Sequence, residues 1–199
     1  MAPRSLKDAP WRDDAIAAVR TLKAGGVILY PTDTVWGLGC RADDAEALEK
    51  LYALKGREGA QPSLVLVDAD GLLEEYAHPV PEIAWDLLRE SAPESRPMTL
   101  VLPGGRDVAP ALLAEDGSLA IRVVNEPFLQ FILRGIDVPL VSAAGEWGGR
   151  PAPGHWAESR GAVRNGGDYV GATGRDRRGN ATASMVKLDA AGRIEILRP

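Results

Sequence analysis

The chain reads as a single α/β domain in which helices pack on a mixed β-sheet. Three observations predict this. Strand-like apolar runs alternate with helix-patterned segments early in the chain, while the last strand runs pair locally. A length of 199 residues suits one large domain with a substantial core. No internal repeat or low-complexity linker divides it.

The elements follow in order. Asp13 to Ala24 has helical composition and stops at Gly25-Gly26, a natural C-terminal break. Val27 to Tyr30 reads as a buried strand. Asp43 to Leu54 reads as a helix, with Asp43 as its cap and Glu46 three residues on. Leu48, Leu51 and Tyr52 form its inward stripe. Ser63 to Val67 is the next strand. Pro81 to Glu90 looks helical, with Ile83, Leu87 and Leu88 on one side. Thr99 to Leu102 and Leu119 to Val124 read as strands, and Pro127 to Arg134 as a helix closed by Gly135. Val138 to Ser142 is a short strand, and the Gly- and Pro-rich stretch from Ala143 to Gly154 reads as loop. Ser184 to Leu188 and Arg193 to Leu197 flank Ala190-Ala-Gly192 as a hairpin.

Bulk properties narrow the function. Hydrophobic residues make up 45% and charged residues 26%, as in ordinary globular proteins. A net charge of −5 argues against a general nucleic-acid binder but leaves a local basic groove open. The single cysteine, Cys40, excludes an internal disulfide and fits a reducing compartment. With two histidines and one cysteine far apart, no structural zinc site can be drawn. No apolar run approaches the ~20 residues of a membrane span. The opening Met-Ala-Pro-Arg-Ser-Leu-Lys lacks the apolar core of a signal peptide. The expectation is a cytoplasmic protein with no membrane partner.

The most informative passage is Val27-Ile-Leu-Tyr-Pro-Thr-Asp-Thr-Val-Trp-Gly-Leu-Gly39, followed by Leu54-Lys-Gly-Arg57. An apolar strand gives way at Pro31 to Thr32, Asp33 and Thr34, and then to glycines. Hydroxyls at a strand end can hold a polar ligand close to backbone. Lys55 and Arg57, spaced i, i+2 where a helix gives out, can reach one phosphate or carboxylate together. Each residue also has a plainer reading. Thr32 can tie down a turn, Asp33 can cap it, and Trp36 can be core. The two cations can simply complement a helix dipole. Arg122 lies inside Ala-Ile-Arg-Val-Val, where a charge is costly unless paired, and Thr99 lies in a similar apolar run.

These residues closely resemble the YrdC/TsaC family, which makes threonylcarbamoyl-AMP for the t6A modification of tRNA. The family signature Pro-Thr-x-Thr-x-(Tyr/Trp/Phe)-Gly-Leu-Gly, then Lys-x-Arg, is matched by Pro31, Thr32, Thr34, Trp36, Gly37, Leu38, Gly39, Lys55 and Arg57. Further matches are Met98-Thr-Leu-Val-Leu-Pro-Gly104, Leu119-Ala-Ile-Arg-Val123, Pro139-Leu-Val-Ser142 and Ile196-Leu-Arg-Pro199. The resemblance implies a YrdC-like domain over residues 12–199, with 1–11 as an N-terminal segment, and a twisted mixed sheet whose concave side forms the ligand cavity. It implies a nucleotidyltransferase acting on L-threonine, bicarbonate and ATP, with Mg²⁺ accompanying the ATP. Lys55 and Arg57 would grip the phosphates as the catalytic cations. Thr32, Arg122 and Trp36 would hold threonine, and Thr99, Ser142 and Arg198 would line the nucleotide. tRNA or double-stranded RNA, and proteins of the modification pathway, are the partners it suggests.

The match fails in one loop. The family's Ser-Thr-Ser-Ala-Asn-x-Ser-Gly element reads Ser142-Ala-Ala-Gly-Glu-Trp-Gly-Gly149 here. Ala144 and Glu146 stand at the usual serine and asparagine, and Ala183 at a later hydroxyl. Alanine removes a donor, and glutamate adds charge beside an expected triphosphate. At ~4 Å, like charges cost roughly 1 to 4 kcal/mol. Glu146 could instead bind Mg²⁺, or Arg150 could neutralise it. Two alternatives to the synthase remain open. One is a divergent paralogue lacking the synthase step. The other is an RNA-binding module using Arg160, Arg164, Arg175, Arg177 and Arg178.

Overall fold

The structure is a computed structural model that describes residues 8–32, 36–56, 63–90, 97–144, 167–175 and 183–199. Nine strands among them form one mixed sheet in the order β7-β1-β2-β6-β3-β5-β4-β8-β9. Those strands are β1 (Ile28–Tyr30), β2 (Gly37–Gly39), β3 (Leu64–Val67), β4 (Met98–Leu102), β5 (Leu119–Val123), β6 (Leu140–Ala144), β7 (Tyr169–Val170), β8 (Ser184–Leu188) and β9 (Ile194–Arg198). The α-helices are α1 (Arg12–Lys23), α2 (Ala45–Leu54), α3 (Leu73–Tyr76), α4 (Glu82–Glu90) and α5 (Pro127–Ile136). None of the described helices is long and apolar enough to cross a membrane.

Strand alternation sorts the core into two layers. One face of the sheet presents Leu29, Leu38, Val65, Val67, Ile121 and Leu100 to a cluster that includes Leu48 and Leu51 of α2, Leu73 of α3 and Ala84 of α4. The other face presents Ile28, Tyr30, Leu66 and Leu140 to α1 and α5, through Leu22, Phe128, Leu129 and Ile132. Each such fully buried Leu, Ile, Val or Phe side chain contributes about 1.5–3 kcal/mol. α1 carries Asp13 and Asp14 in its first turn and Arg20 and Lys23 in its last, so its charges complement the macrodipole. α5 opens on Pro127, which has no N–H to leave orphaned, and closes on Asp137 in the left-handed region, φ 58°.

Several details depart from the sequence expectation. The cap of α2 is Asp44, whose Oδ1 accepts from the Ala47 N–H at 2.9 Å, while Asp43 instead holds Arg41. Ala143 and Ala144 are strand rather than loop, paired with Leu38 and Gly37. β2, β7 and the short α3 were not expected at all. Gly37-Leu38-Gly39 has poor strand propensity and is extended because β1 and β6 pair with it on both sides. Gly39 must be glycine: a Cβ there would sit 2.7 Å from the Val141 carbonyl and from Tyr30 Cε1.

Candidate functional site

The α1–α5 layer covers only part of its sheet face. Beyond Leu66 the same register row turns polar. Leu66 pairs with Arg122, and the pairing of Leu100 with Ile121 sets Thr99 opposite Arg122. Thr99 in turn pairs with Met185 of β8. Arg122 is 5% exposed and Thr99 fully buried, and the Arg122 Nε–H donates to Thr99 Oγ1 at 3.3 Å. A guanidinium held this far from water needs polar partners on its own face, and the sheet register supplies one.

A β-bulge extends this row to the chain's last strand. Val186 pairs with Ile196, but Met185 pairs with Arg198, so Leu197 is an extra residue. Without the bulge, Arg198 would share the face of Ile196. With it, Arg198 joins Met185, Thr99 and Arg122. Its Nε–H donates to the Ala183 carbonyl at 2.6 Å, which orients the guanidinium. Ala183 thus serves through its backbone, for which a hydroxyl is not required.

A second group gathers around Gly37. A Cβ on that glycine would lie 3.5 Å from Ser142 Oγ and 3.6 Å from Thr32 Cγ2. The two hydroxyl residues therefore flank a glycine that leaves space between them. Ser142 is itself paired with Leu64, two residues along β3 from the partner of Arg122. Gly37 pairs with Ala144, so this altered position lies directly across from the space.

Thr32 is positioned from behind. Gly171 donates its N–H to the Leu29 carbonyl at 2.8 Å and lies against Pro31. Its loop is tethered to α1 by Asp14, which accepts from the Ala172 and Thr173 N–H groups at 3.0 and 2.7 Å and from the Tyr169 hydroxyl. Burial raises the Asp14 pKa, but bonds from Thr173, Tyr169 and the two amides outweigh it, so the carboxyl is held below its usual range. Nothing in the sequence pairs Asp14 with residues so distant. The role of Met185 in the row, and the space left by Gly37, were equally invisible there.

Lys55 ends α2 as its C-cap, with its N–H on the Leu51 and Tyr52 carbonyls, and is 2% exposed. A lysine so buried is not the solvated helix-end cation of the plain reading. Trp36 is buried within the larger apolar cluster, alongside Leu38 in sequence, so any contact with a substrate methyl is made from that core. Asp33, Thr34, Arg57, Glu146 and Arg150 lie outside the described residues, as do Arg160, Arg164, Arg177 and Arg178. Arg175 is described, and its guanidinium donates to the Gly171 carbonyl of its own loop at 2.9 Å. Among the described residues no three His, Cys, Asp or Glu side chains are grouped to hold a metal ion. Burial, then the charges of Asp44 and Asp43, push the buried Cys40 thiol up to about 12, which favours its neutral form.

Residues 20–199 match the family model of the Sua5/YciO/YrdC domain, described as telomere recombination. A threonylcarbamoyl-AMP synthase of Chromohalobacter salexigens is 36% identical over 139 residues, which cover 69% of this chain and 74% of that protein. One from Nitrosococcus oceani is 34% identical over 161 residues, covering 79% and 85%. In fold the chain is similar to E. coli YciO, with a TM-score of 0.80 at 22% identity over 96% of this chain and 91% of that one. It is also similar to P. abyssi Sua5 complexed with L-threonine, with a TM-score of 0.74 at 22% identity over 87% of this chain. It spans only 50% of that Sua5 chain. The family-model match over residues 20–199, with relatives at 34–36% identity, makes this chain a member of the Sua5/YciO/YrdC family.

Proposed function

We propose that the chain is a threonylcarbamoyl-AMP synthase, condensing L-threonine, bicarbonate and ATP to threonylcarbamoyl-AMP, pyrophosphate and water for tRNA modification. The observation that carries this reading is the buried Arg122–Thr99 pair, continued by Arg198, on the face where Thr32 and Ser142 flank Gly37. One end of this arrangement suits an amino-acid carboxylate and hydroxyl, and the other suits a nucleotide.

Arg122 and Thr32 hold threonine, leaving its amine to take up bicarbonate as a carbamate. A carbamate oxygen then attacks the α-phosphorus of ATP, and the bond to the pyrophosphate oxygen breaks. Such a reaction needs positioning and charge stabilisation more than a covalent nucleophile. Lys55 and Arg57 oppose the charge that develops on the phosphate oxygens. Thr99, Ser142 and Arg198 line the nucleotide. Mg²⁺ bound with ATP would neutralise charge on its phosphates.

The test is mass detection of threonylcarbamoyl-AMP after incubation of the purified chain with L-threonine, bicarbonate, ATP and Mg²⁺. Product that depends on all three substrates supports the reading. A chain that binds threonine and ATP yet forms none is the divergent paralogue. The double reversion Ala144→Ser/Glu146→Asn then locates the defect: product restored by it assigns the loss to that loop.

A further inference from the structure

On the side of α1 and α5 away from the sheet, the two helices form a groove of about 610 Å³. α1 contributes Ile16, Val19, Arg20 and Lys23, and α5 contributes Pro127, Gln130, Phe131 and Arg134. Both sets follow i, i+3, i+4, i+7, so each helix turns one complete face to the groove. Gly135 keeps the helices close, since a Cβ there would come within 2.7 Å of Val19 Cγ2.

The groove has an apolar floor of Ile16, Val19 and Phe131 and a cationic rim of Arg20, Lys23 and Arg134. Arg134 is fixed by Asp68, with Nε to Oδ2 at 2.8 Å. Among the described residues none that lines the groove is acidic, although the chain as a whole carries −5. Complementing the helix dipoles accounts for cations at helix ends, but not for the half-buried apolar floor between them.

We infer that this groove docks an acidic amphipathic helix of a partner protein. α1 and α5, at 12 and 10 residues, run for about 18 and 15 Å, enough to seat roughly three turns of a third helix. Apolar anchors of that helix meet Ile16, Val19 and Phe131, and its flanking carboxylates meet the rim. A second copy of this chain does not fit, because a symmetric contact sets Arg20 and Lys23 against cations of the same rim. A nucleic-acid backbone would satisfy the rim and leave the floor uncovered. The inference is independent of the reading of the catalytic site.

The experiment screens the full chain against a displayed library of amphipathic helices with leucine on one face and flanking positions randomised between glutamate and lysine. Binders enriched in glutamate are expected. Their affinity should fall with added salt and drop at least about tenfold in Arg20→Glu/Lys23→Glu. The milder Arg20→Gln/Lys23→Gln, with circular dichroism on both variants, separates lost docking from lost folding. Lysine-rich winners, binders indifferent to both variants, or no binder at all would overturn the inference. So would a homodimer in solution that the charge reversal dissociates.

Discussion

Replacing Thr99 by valine isolates the bond at the centre of the polar row. Valine has nearly the volume and branching of threonine, so the fully buried site gains no cavity, and only the hydroxyl is lost. That hydroxyl accepts from the Arg122 Nε–H at 3.3 Å, longer than the usual 2.9–3.0 Å, roughly, of such bonds. A charge-assisted bond contributes about 1.5–3 kcal/mol, and the length argues for about 1.5. For a domain of this size the melting temperature should fall by about 3–6 °C. Thr99→Ser is the control: it keeps the acceptor but loses a buried methyl group, about 0.8 kcal/mol. Stability thus falls in both variants, whereas orientation of the guanidinium fails only in valine. If Arg122 holds the threonine carboxylate, calorimetric affinity for L-threonine should drop roughly tenfold in Thr99→Val and stay within about twofold in Thr99→Ser. Equal affinities in the two variants would refute the argument that this bond aims Arg122 at a substrate.

Further outcomes follow from the same geometry. Gly37→Ala meets only ordinary contacts, so its melting temperature should hold while threonine binding weakens, whereas Gly39→Ala clashes with a backbone carbonyl and should lose about 1–3 kcal/mol in urea titration. Gly104→Ala should unfold at markedly lower denaturant, because φ is +62° and the new Cβ would clash with the His78 carbonyl oxygen. The folded-state pKa of Asp14 lies below its unfolded value, so its contribution is complete above that value and is lost as pH falls through the folded one. Asp14→Asn should therefore lower the melting temperature at neutral pH, a difference that shrinks as pH falls through the carboxylate range in melts across pH. Lys55→Ala should weaken ATP binding by roughly ten- to a hundredfold, with unchanged calorimetric affinity rejecting its phosphate role.

Local chemistry made much of this protein readable from its residues. The periodic stripe of Leu48, Leu51 and Tyr52, the Gly25-Gly26 stop and the apolar runs around Thr99 and Arg122 all act through near neighbours, so helices and central strands were legible. The costly arginine in an apolar strand also pointed to a buried polar site, and the motif order pointed to the family. Other features depend on partners far along the chain. Gly37 to Gly39 becomes a strand only between β1 and β6, and Asp14 acquires meaning only when the loop at Ala172 folds back on α1. Arg198 shares a face with Thr99 because one extra residue, Leu197, shifts the register by a single step. In a sheet a one-residue shift moves a side chain to the opposite face, and that shift arises from strand pairing rather than from any local preference of the residues involved.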